Sequence, residues 1–247
     1  MIRSIFVVTM AVIITASLSA AVVIFSLFPS SGTISRRIAR FWAKIILCFS
    51  QIKVEVIGRE NVTTERPQIF MANHQGDFDI LIFLAHIPVD FLWTAKKELF
   101  HVPVFGRAMR QAGYIEIDRQ DREKAVKGME EAGEEISKGL SIATFPEGTI
   151  SMEGKILPFK QGMFHIAIQT GVSIVPITII GSDKIMPKGS LKVGRGEIIM
   201  VIDKPVEAGD YTIESRAALI EKVRELIVAN HEKYQKGTAA DPGRVSP

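Results

Sequence analysis

Hydrophobic and polar positions divide the chain into three parts. Residues 5–28 carry no charged side chain and form a long apolar run. After a turn signal at residues 28–32, apolar residues recur at helical spacing between Ile34 and Phe49, with basic residues between them. From residue 51 onward, short apolar runs alternate with charged helical stretches, which is typical of an α/β domain. The pattern therefore predicts two N-terminal helices followed by one α/β domain.

These changes of pattern set the domain boundaries. We expect residues 1–50 to form membrane-associated helices, residues 51–236 the α/β domain, and residues 237–247 a small, polar and loose tail. The predicted strands are 53–57, 68–72, 91–95, 114–117, 141–145, 173–180 and 197–202. The predicted helices are 80–86, 106–111, 121–138, 163–169 and 214–233. Their alternation predicts a mixed, largely parallel sheet flanked by helices, with strand-end loops available for a site.

The first apolar run has the length and composition of a membrane helix. Residues 5–28 would extend about 36 Å as a helix, which exceeds the roughly 30 Å of a bilayer's hydrocarbon core. The second helix is amphipathic and carries four basic residues, which suits a membrane interface. These residues are Arg36, Arg37, Arg40 and Lys44. Two arrangements fit this pattern: one span followed by an interfacial helix, or a helical hairpin inserted in one leaflet.

The basic residues also predict an orientation. Only Arg3 precedes the apolar run, whereas four basic residues follow it, so the C-terminal side of a spanning helix would face the cytoplasm. A cleaved signal peptide is the alternative, because Ser17 and Ser19 around Leu18 offer a small-residue cleavage site. Cleavage there would leave the apolar residues 20–28 on the mature chain.

Composition limits the classes of protein that fit. The 247 residues suffice for one well-packed domain with an appendage. A net charge of +3 is too small to indicate nucleic-acid binding, so we expect no nucleic-acid partner. The single cysteine, Cys48, excludes an internal disulfide framework and a cysteine-based zinc site.

Polar residues directly follow the second predicted strand, in the segment 73–79. His74 and Asp79 would lie about 140° apart on a continuous helix, so they cannot face each other along one. They can meet if His74 lies in the strand-end loop and Asp79 at the start of the next helix. Asp79 would then fix the imidazole tautomer and leave the other ring nitrogen to take a proton from a hydroxyl. Alternatively, Asp79 or Asp77 caps the helix and His74 is an ordinary loop residue.

Two further strand ends carry residues that suit a phosphate. The segment 145–149 exposes backbone N–H groups and the Thr149 hydroxyl, or is simply a turn. Arg119 follows the strand 114–117 and has the geometry for bidentate phosphate binding. The alternative for Arg119 is a surface ion pair with Asp118 or Asp121.

Four blocks in this order resemble the glycerolipid acyltransferase family. The blocks are Asn73-His74 with Asp79, then 113–119, 145–149 and 175–177. The short chain and the N-terminal apolar run resemble, more narrowly, the bacterial 1-acylglycerol-3-phosphate acyltransferases. The resemblance covers residues 73–205, and within this range the segment 95–106 also resembles the family.

The resemblance implies a role for each matching residue. His74 would be the general base on the free sn-2 hydroxyl of lysophosphatidic acid, and Asp79 would orient it. Four residues would position the glycerol phosphate: Arg119, Glu147, Gly148 and Thr149. Lys96 would add a phosphate contact, unless it is a solvated surface lysine. The segment 175–177 would support the acyl or acceptor site.

The reaction implied is direct acyl transfer from a thioester, giving phosphatidic acid for phospholipid biosynthesis. The donor would be acyl-CoA or acyl carrier protein as co-substrate, with no other cofactor and no metal. The partners would be lysophosphatidic acid, the thioester donor and membrane lipid. The protein would lie at the membrane, with its catalytic domain on the cytoplasmic face of the inner membrane.

The chain departs from the family pattern at two positions. The family commonly has Ser where this chain has Gly76, and Arg where it has Ile150. Without this arginine, the phosphate's charge would have to be neutralised by Arg119 together with Lys155 or Lys160. The resemblance therefore defines the type of reaction more closely than it defines the acceptor.

Other functions remain open from the sequence. Within the family, glycerol-3-phosphate or another lysophospholipid could replace lysophosphatidic acid. A metal-dependent hydrolase could use His74, Asp77, Asp79 and Glu147, although this is a thin ligand set for zinc. A non-enzymatic lipid-binding module is the third hypothesis. The remaining histidines lie outside the family blocks and are interpreted as structural or surface residues: His86, His101, His165 and His231.

Overall fold

The structure is a computed structural model that describes residues 1–26, 31–151, 154–187 and 189–240. Two long helices open the chain, α1 at Ile2–Phe25 and α2 at Ser31–Ser50. Most of the turn predicted at residues 28–32 lies outside the described residues. The two N-terminal helices that the hydrophobic pattern predicted are therefore present, and they pack against each other.

A seven-stranded sheet forms the centre of the α/β domain. The strands are β1 Lys53–Ile57, β2 Ile69–Ala72, β3 Phe91–Lys96, β4 Ile115–Ile117, β5 Ser141–Thr144, β6 Ile174–Ile180 and β7 Glu197–Ile202. Their order across the sheet is β1-β7-β6-β2-β5-β3-β4, and the β6–β7 pair is antiparallel whereas the other neighbours are parallel. This arrangement confirms the predicted mixed, largely parallel sheet.

Helices cover the sheet. They are α3 Phe78–His86, α4 Lys97–Phe100, α5 Phe105–Gln111, α6 Arg122–Ser137, α7 Gly162–Thr170, α8 Ser182–Ile185 and α9 Arg216–Ala240. Two 3-10 turns lie at Arg59–Asn61 and Ala208–Asp210. The short α4 and α8 were not predicted, because four residues are too few to show helical periodicity. The last helix continues to Ala240, and residues 241–247 of the predicted tail lie outside the described residues.

The central strand β2 shows why the sheet is covered on both faces. All four of its residues are fully buried. Phe70 and Ala72 pack in a core that includes residues of α2 and α3, whereas Ile69 and Met71 pack in a core with residues of α6, α7 and α9. Successive side chains of a strand point to opposite faces, so a strand buried on both faces is a continuous apolar run rather than an alternating one.

The N-terminal helices are attached to this domain along their length. Arg3 donates hydrogen bonds to the carbonyls of Val193 at 2.7 Å and Gly194 at 2.9 Å. Trp42 Nε1 donates to Thr15 Oγ1 at 2.8 Å, which ties α2 to the middle of α1. The same helix also packs against α5.

Two of the four basic residues on α2 also face the domain. Arg36 and Arg40 both approach Asp90, at 3.5 and 3.7 Å, while Arg37 and Lys44 are exposed. The basic face predicted for a membrane interface is therefore divided between internal ion pairs and exposed charge.

Within the described residues, α1 is the one helix that is long and apolar enough, by length and composition, to cross a membrane. Its exposed large apolar residues are Ile2, Ile5, Phe6, Val12, Ile13, Ile24 and Phe25. The helix thus combines an exposed apolar surface with an inner side that packs on the domain.

Gly106 provides a test of the close packing between α4 and α5. A Cβ at this position would lie 2.0 Å from the carbonyl oxygen of Phe100, which is backbone and cannot move alone. We expect Gly106→Ala to lower the free energy of unfolding by about 1–3 kcal/mol, as overpacking does. Gly133→Ala on α6 is the matched control, because its Cβ would meet only Ile166 at 3.6 Å. Equal denaturant midpoints for the two variants would contradict this packing.

Candidate active site

The segment 73–79 leaves the carboxyl end of the central strand and leads into α3. Asn73 fixes the start of this turn, because its amide donates to the Ile179 carbonyl at 2.8 Å and accepts from the Ile179 N–H at 2.7 Å. The turn is therefore tied to the neighbouring strand β6. Loops at the carboxyl ends of parallel strands are the usual place for a site in such a sheet.

One carboxylate oxygen organises the turn. Asp79 is fully buried, and its Oδ2 accepts hydrogen bonds from His74 Nδ1 at 2.8 Å, from the Gln75 N–H at 2.7 Å and from the Gly76 N–H at 2.9 Å. Asp79 lies in the first turn of α3, where the helix dipole favours a negative charge. His74 and Asp79 thus meet across the turn and not along a helix.

The imidazole is held in one orientation. Its ring stacks on Phe145 with centroids 3.9 Å apart and an interplanar angle of 8°, and Phe145 stacks in turn on Trp93. Because Nδ1 faces the Asp79 carboxylate, Nδ1 carries the proton and Nε2 holds the lone pair. Nε2 receives no hydrogen bond from any residue that the structure describes, so it is available to a bound hydroxyl.

Glu147 holds the backbone of His74 in place. Its Oε1 accepts from the His74 N–H at 2.8 Å, and its Oε2 accepts from the Leu157 N–H at 2.7 Å. Burial raises the pKa of this carboxyl, while the two backbone hydrogen bonds lower it. On the other side, Ser151 donates to the His74 carbonyl through its N–H at 2.7 Å and its hydroxyl at 3.0 Å. Both oxygens of the predicted phosphate-binding Glu147 are therefore occupied by protein N–H groups.

Arg119 is brought to the same loop from the end of β4. Its guanidinium donates to the carbonyl of Gly148, which has a φ of 73° that favours glycine. The ion pairs offered by the sequence are not formed, because Asp118 binds Lys97 at 2.8 Å and Asp121 caps α6. Among the described residues, no carboxylate oxygen lies within 4.0 Å of Arg119, so its charge is available to a ligand.

Lys96 lies at the edge of the site. It is half exposed, and its Nζ is 3.4 Å from Glu98 Oε1. Such an exposed pair contributes little and separates easily. The lysine lines the same cavity as His74 and can add a weaker positive charge there.

An apolar cavity of about 550 Å³ opens at the imidazole. It runs between the N-terminal helices and the domain, and its walls come from α1, α2, α3, β3 and α5. Representative lining residues are Leu18, Val22, Trp42, Leu84, Met109 and Tyr114. The helix α1 therefore supplies part of the cavity wall.

A second, more polar groove of about 950 Å³ lies on the other side of the segment 145–149. Four residues line both spaces: Thr94, Arg119, Phe145 and Thr149. His74 lines the apolar cavity but not the groove. The two spaces therefore lie next to each other, and Phe145, which stacks on the imidazole, lies at their common boundary.

The arrangement does not form a metal-ligand set. Within the described ranges, no three His, Cys, Asp or Glu side chains are grouped to hold a metal ion. Asp79 and Glu147, two of the four residues in the hydrolase hypothesis, direct oxygens to N–H groups of the turn. The geometry instead suits proton transfer at His74 Nε2.

Sequence reasoning missed one buried contact beside the catalytic turn. Gln75 Nε2 donates to His231 Nε2 on α9 at 2.8 Å, and both side chains are buried. A signal was present, because His231 follows the buried Leu219, Val223 and Ile227 at four-residue steps on the helix. This spacing indicates an inward-facing histidine, but not its partner 156 positions earlier in the chain.

Comparison with known proteins identifies the class. The family model described as Acyltransferase matches residues 53–180, about half of the chain. The chain therefore belongs to the acyltransferase family.

Several relatives carry a more specific name. A chloroplastic 1-acyl-sn-glycerol-3-phosphate acyltransferase of Brassica napus is 37% identical over 171 residues, covering 68% of this chain and 49% of that protein. The 1-acyl-sn-glycerol-3-phosphate acyltransferase of Limnanthes alba is 31% identical, covering 78% of this chain and 68% of that protein. The crystal structure of PlsC, the 1-acyl-sn-glycerophosphate acyltransferase of Thermotoga maritima, matches with a TM-score of 0.82, 26% identity and 95% coverage of both chains. The chain spans about half the length of the first curated relatives it matches.

The contact between Gln75 and His231 predicts a pH effect on stability. Burial lowers the pKa of His231, although Asp183 and Glu232 oppose this shift. As the pH falls below the ordinary value near 6.5, the unfolded chain binds a proton before the folded protein does, so stability is lost. We expect His231→Gln to weaken this loss, measured as denaturant midpoints at about pH 7.5 and about pH 5.5. The exposed His101→Gln is the control, and an identical pH slope in wild type and His231→Gln would refute the prediction.

Proposed function

We propose that the protein transfers an acyl group from a thioester to the sn-2 hydroxyl of 1-acylglycerol 3-phosphate, giving phosphatidic acid. The observation that carries this proposal is the oriented His74 imidazole, with Nε2 facing a cavity that has apolar walls and Arg119 at its edge. Membership of the acyltransferase family and the names of the relatives support the same reaction.

The proposed mechanism needs no protein nucleophile. The acceptor hydroxyl gives its proton to His74 Nε2 while its oxygen attacks the thioester carbonyl. Asp79 stabilises the imidazolium that forms. When the tetrahedral intermediate collapses, the carbon–sulfur bond breaks and the imidazolium returns the proton to the leaving thiolate. The imidazole is then neutral again, and the products are the new ester and a free thiol.

Arg119 is the best placed group for the acceptor phosphate. In 1-acylglycerol 3-phosphate the free hydroxyl and the phosphate are on adjacent carbons, so the phosphate has to lie close to the imidazole. Arg119 lines the cavity beside His74 and forms no ion pair with a described carboxylate. Thr149 and Lys96 line the same cavity and would add polar contacts, whereas Glu147 and Gly148 would support the loop and the arginine.

The apolar cavity would hold an acyl chain. Side chains of α1, α2 and α5 form much of its wall, so the N-terminal helices would contact the bound chain. A lipid chain that enters here stays in apolar surroundings while its polar end reaches His74. This explains why a membrane-associated helical pair is joined to an acyltransferase domain.

The contacts of α1 favour insertion in one leaflet over a full span. A helix of 24 residues is about 36 Å long, so the two ends of a spanning helix would lie on opposite sides of a bilayer. Arg3 at one end and Val22 near the other both contact the domain or its cavity. We therefore place α1 and α2 in one leaflet, with the domain on the cytoplasmic face of the inner membrane and exposed Arg37 and Lys44 near anionic headgroups.

Removal of the base tests the reaction. We expect His74→Ala to lower kcat by about 10²- to 10⁴-fold, because a positioned general base contributes this much. The measurement is transfer from an acyl thioester to 1-acylglycerol 3-phosphate in detergent micelles, with thermal unfolding as the check on folding. Wild-type turnover in a folded His74→Ala protein would exclude the proposed mechanism.

Removal of the arginine tests the acceptor. A hydrogen bond to a charged group is worth about 1.5–3 kcal/mol, so Arg119→Gln should raise the KM for 1-acylglycerol 3-phosphate by roughly 10- to 100-fold. The same variant should accept monoacylglycerol, which lacks the phosphate, as well as wild type does. Arg66→Gln, whose exposed partner is Glu207, controls for the lost charge. An equal rise in KM for both acceptors would show that Arg119 does not bind the phosphate.

A further inference from the structure

The polar groove contains more positive charge than the acceptor phosphate needs. The cations that line it are Arg119, Arg122, Lys160 and Arg216. A phosphate monoester carries about two negative charges at most near neutral pH. The groove also contains two carboxylates, Glu130 and Glu147, but the second is buried and held by two backbone N–H groups. The four cations therefore outnumber the two carboxylates, and the groove is positive on balance.

None of these cations forms an ion pair in the part of the chain that the structure describes. Some arginines elsewhere in the protein are paired with carboxylates, as Arg66 is with Glu207 and Arg110 with Glu116. The four groove cations have no carboxylate oxygen within 4.0 Å among the described residues. A cluster of uncompensated cations in a groove repels itself and is stabilised by a bound anion.

One of the cations is held in position by neutral groups, and a second runs along the loop 145–149. Arg216 donates to Gln161 Oε1 at 2.8 Å and to His165 Nδ1 at 3.3 Å. The Lys160 side chain runs along Gly148, where a Cβ would lie 3.6 Å from its Cγ and Cε. Because the contacts of Arg216 orient its side chain without neutralising it, this arginine keeps its full charge in the groove.

Their location separates them from the acceptor phosphate. Arg119 alone of the four also lines the apolar cavity that contains His74. Arg122, Lys160 and Arg216 line only the groove, so they suit a longer molecule that reaches the imidazole from the groove side. Apolar Val126, Met129 and Ile166 line the same groove and would contact the uncharged part of that molecule.

We propose that Arg122, Lys160 and Arg216 bind the phosphate at the end of the donor's phosphopantetheine arm. This site rests on the proposed function, because it assumes that the donor is a thioester. Acyl-CoA and acyl carrier protein share the phosphopantetheine arm, whose thioester end would enter between Phe145 and Thr149 to meet the acceptor. The apolar cavity would then hold the lipid chain, and the groove would hold the arm of the water-soluble carrier.

The test is a double variant, Arg122→Gln with Arg216→Gln, assayed with separate titrations of donor and acceptor. We expect the KM for acyl-CoA to rise about 10- to 100-fold, while the KM for 1-acylglycerol 3-phosphate does not rise. With acyl-pantetheine, which has no phosphate, the variant and wild type should have the same KM. A rise in the acceptor KM alone, or an equal rise with acyl-pantetheine, would overturn the proposal. Arg66→Gln controls for net charge, and thermal unfolding checks that each variant folds.

A second arm uses acyl carrier protein as the donor. A rise in KM with both donors supports the shared phosphopantetheine phosphate as the ligand. A rise with acyl carrier protein and none with acyl-CoA would overturn this assignment, because the effect would then belong to the protein surface of the carrier.

A binding measurement separates this proposal from the proposed function. Calorimetric titration with free CoA needs no catalysis, and we expect the double variant to bind CoA about 10- to 100-fold more weakly than wild type. If CoA binds as expected but no thioester is consumed with any acceptor, the groove assignment stands and the proposed function fails. If acyl transfer is normal and CoA binding is unchanged in the variant, the proposed function stands and the groove assignment fails.

Discussion

The structure around the site depends on one buried carboxylate. Removing the Asp79 carboxylate from water costs several kcal/mol unless its charge is met by hydrogen bonds. The turn supplies them, since the His74 imidazole and the N–H groups of Gln75 and Gly76 converge on a single oxygen. The same three bonds that stabilise the charge therefore shape the turn and orient the base. The hydrogen bonds to Asp79 therefore determine both the conformation of the turn and the orientation of the base.

The sheet brings the other half of the site to this turn. β5 pairs in parallel beside β2, with Phe70 opposite Ala143 and Met71 opposite Thr144, so both strands end at the same edge. Phe145 can then stack on the imidazole while Glu147 binds its backbone. Arg119 arrives at this edge from β4, two strands further along the sheet. A site divided over distant segments is thus assembled by parallel pairing.

Local patterns in the sequence were sufficient for much of this account. The seven strands follow from short apolar runs. The five-residue step between His74 and Asp79 excluded a contact along one helix, but it left open whether the two side chains meet across the turn or Asp79 only caps the helix. The sequence could not show the strand order, because every buried strand is apolar in the same way. It also could not show that both carboxylate oxygens of Glu147 accept hydrogen bonds from backbone N–H groups. Nor could it show that His231 binds Gln75, or that Arg216 and Arg122 line the same groove. Each of these contacts joins segments that only the folded chain brings together.

The central claim is that the Asp79 carboxylate holds the His74 proton on Nδ1 and leaves Nε2 free to act as the base. Nitrogen-15 NMR of the histidine-labelled protein measures this directly, with the His74 signals assigned by their absence in His74→Gln. The account predicts a protonated Nδ1 and an unprotonated Nε2 in the neutral imidazole, and a loss of this preference in Asp79→Asn. A neutral His74 that carries its proton on Nε2 would contradict the account, because no lone pair would then face the cavity.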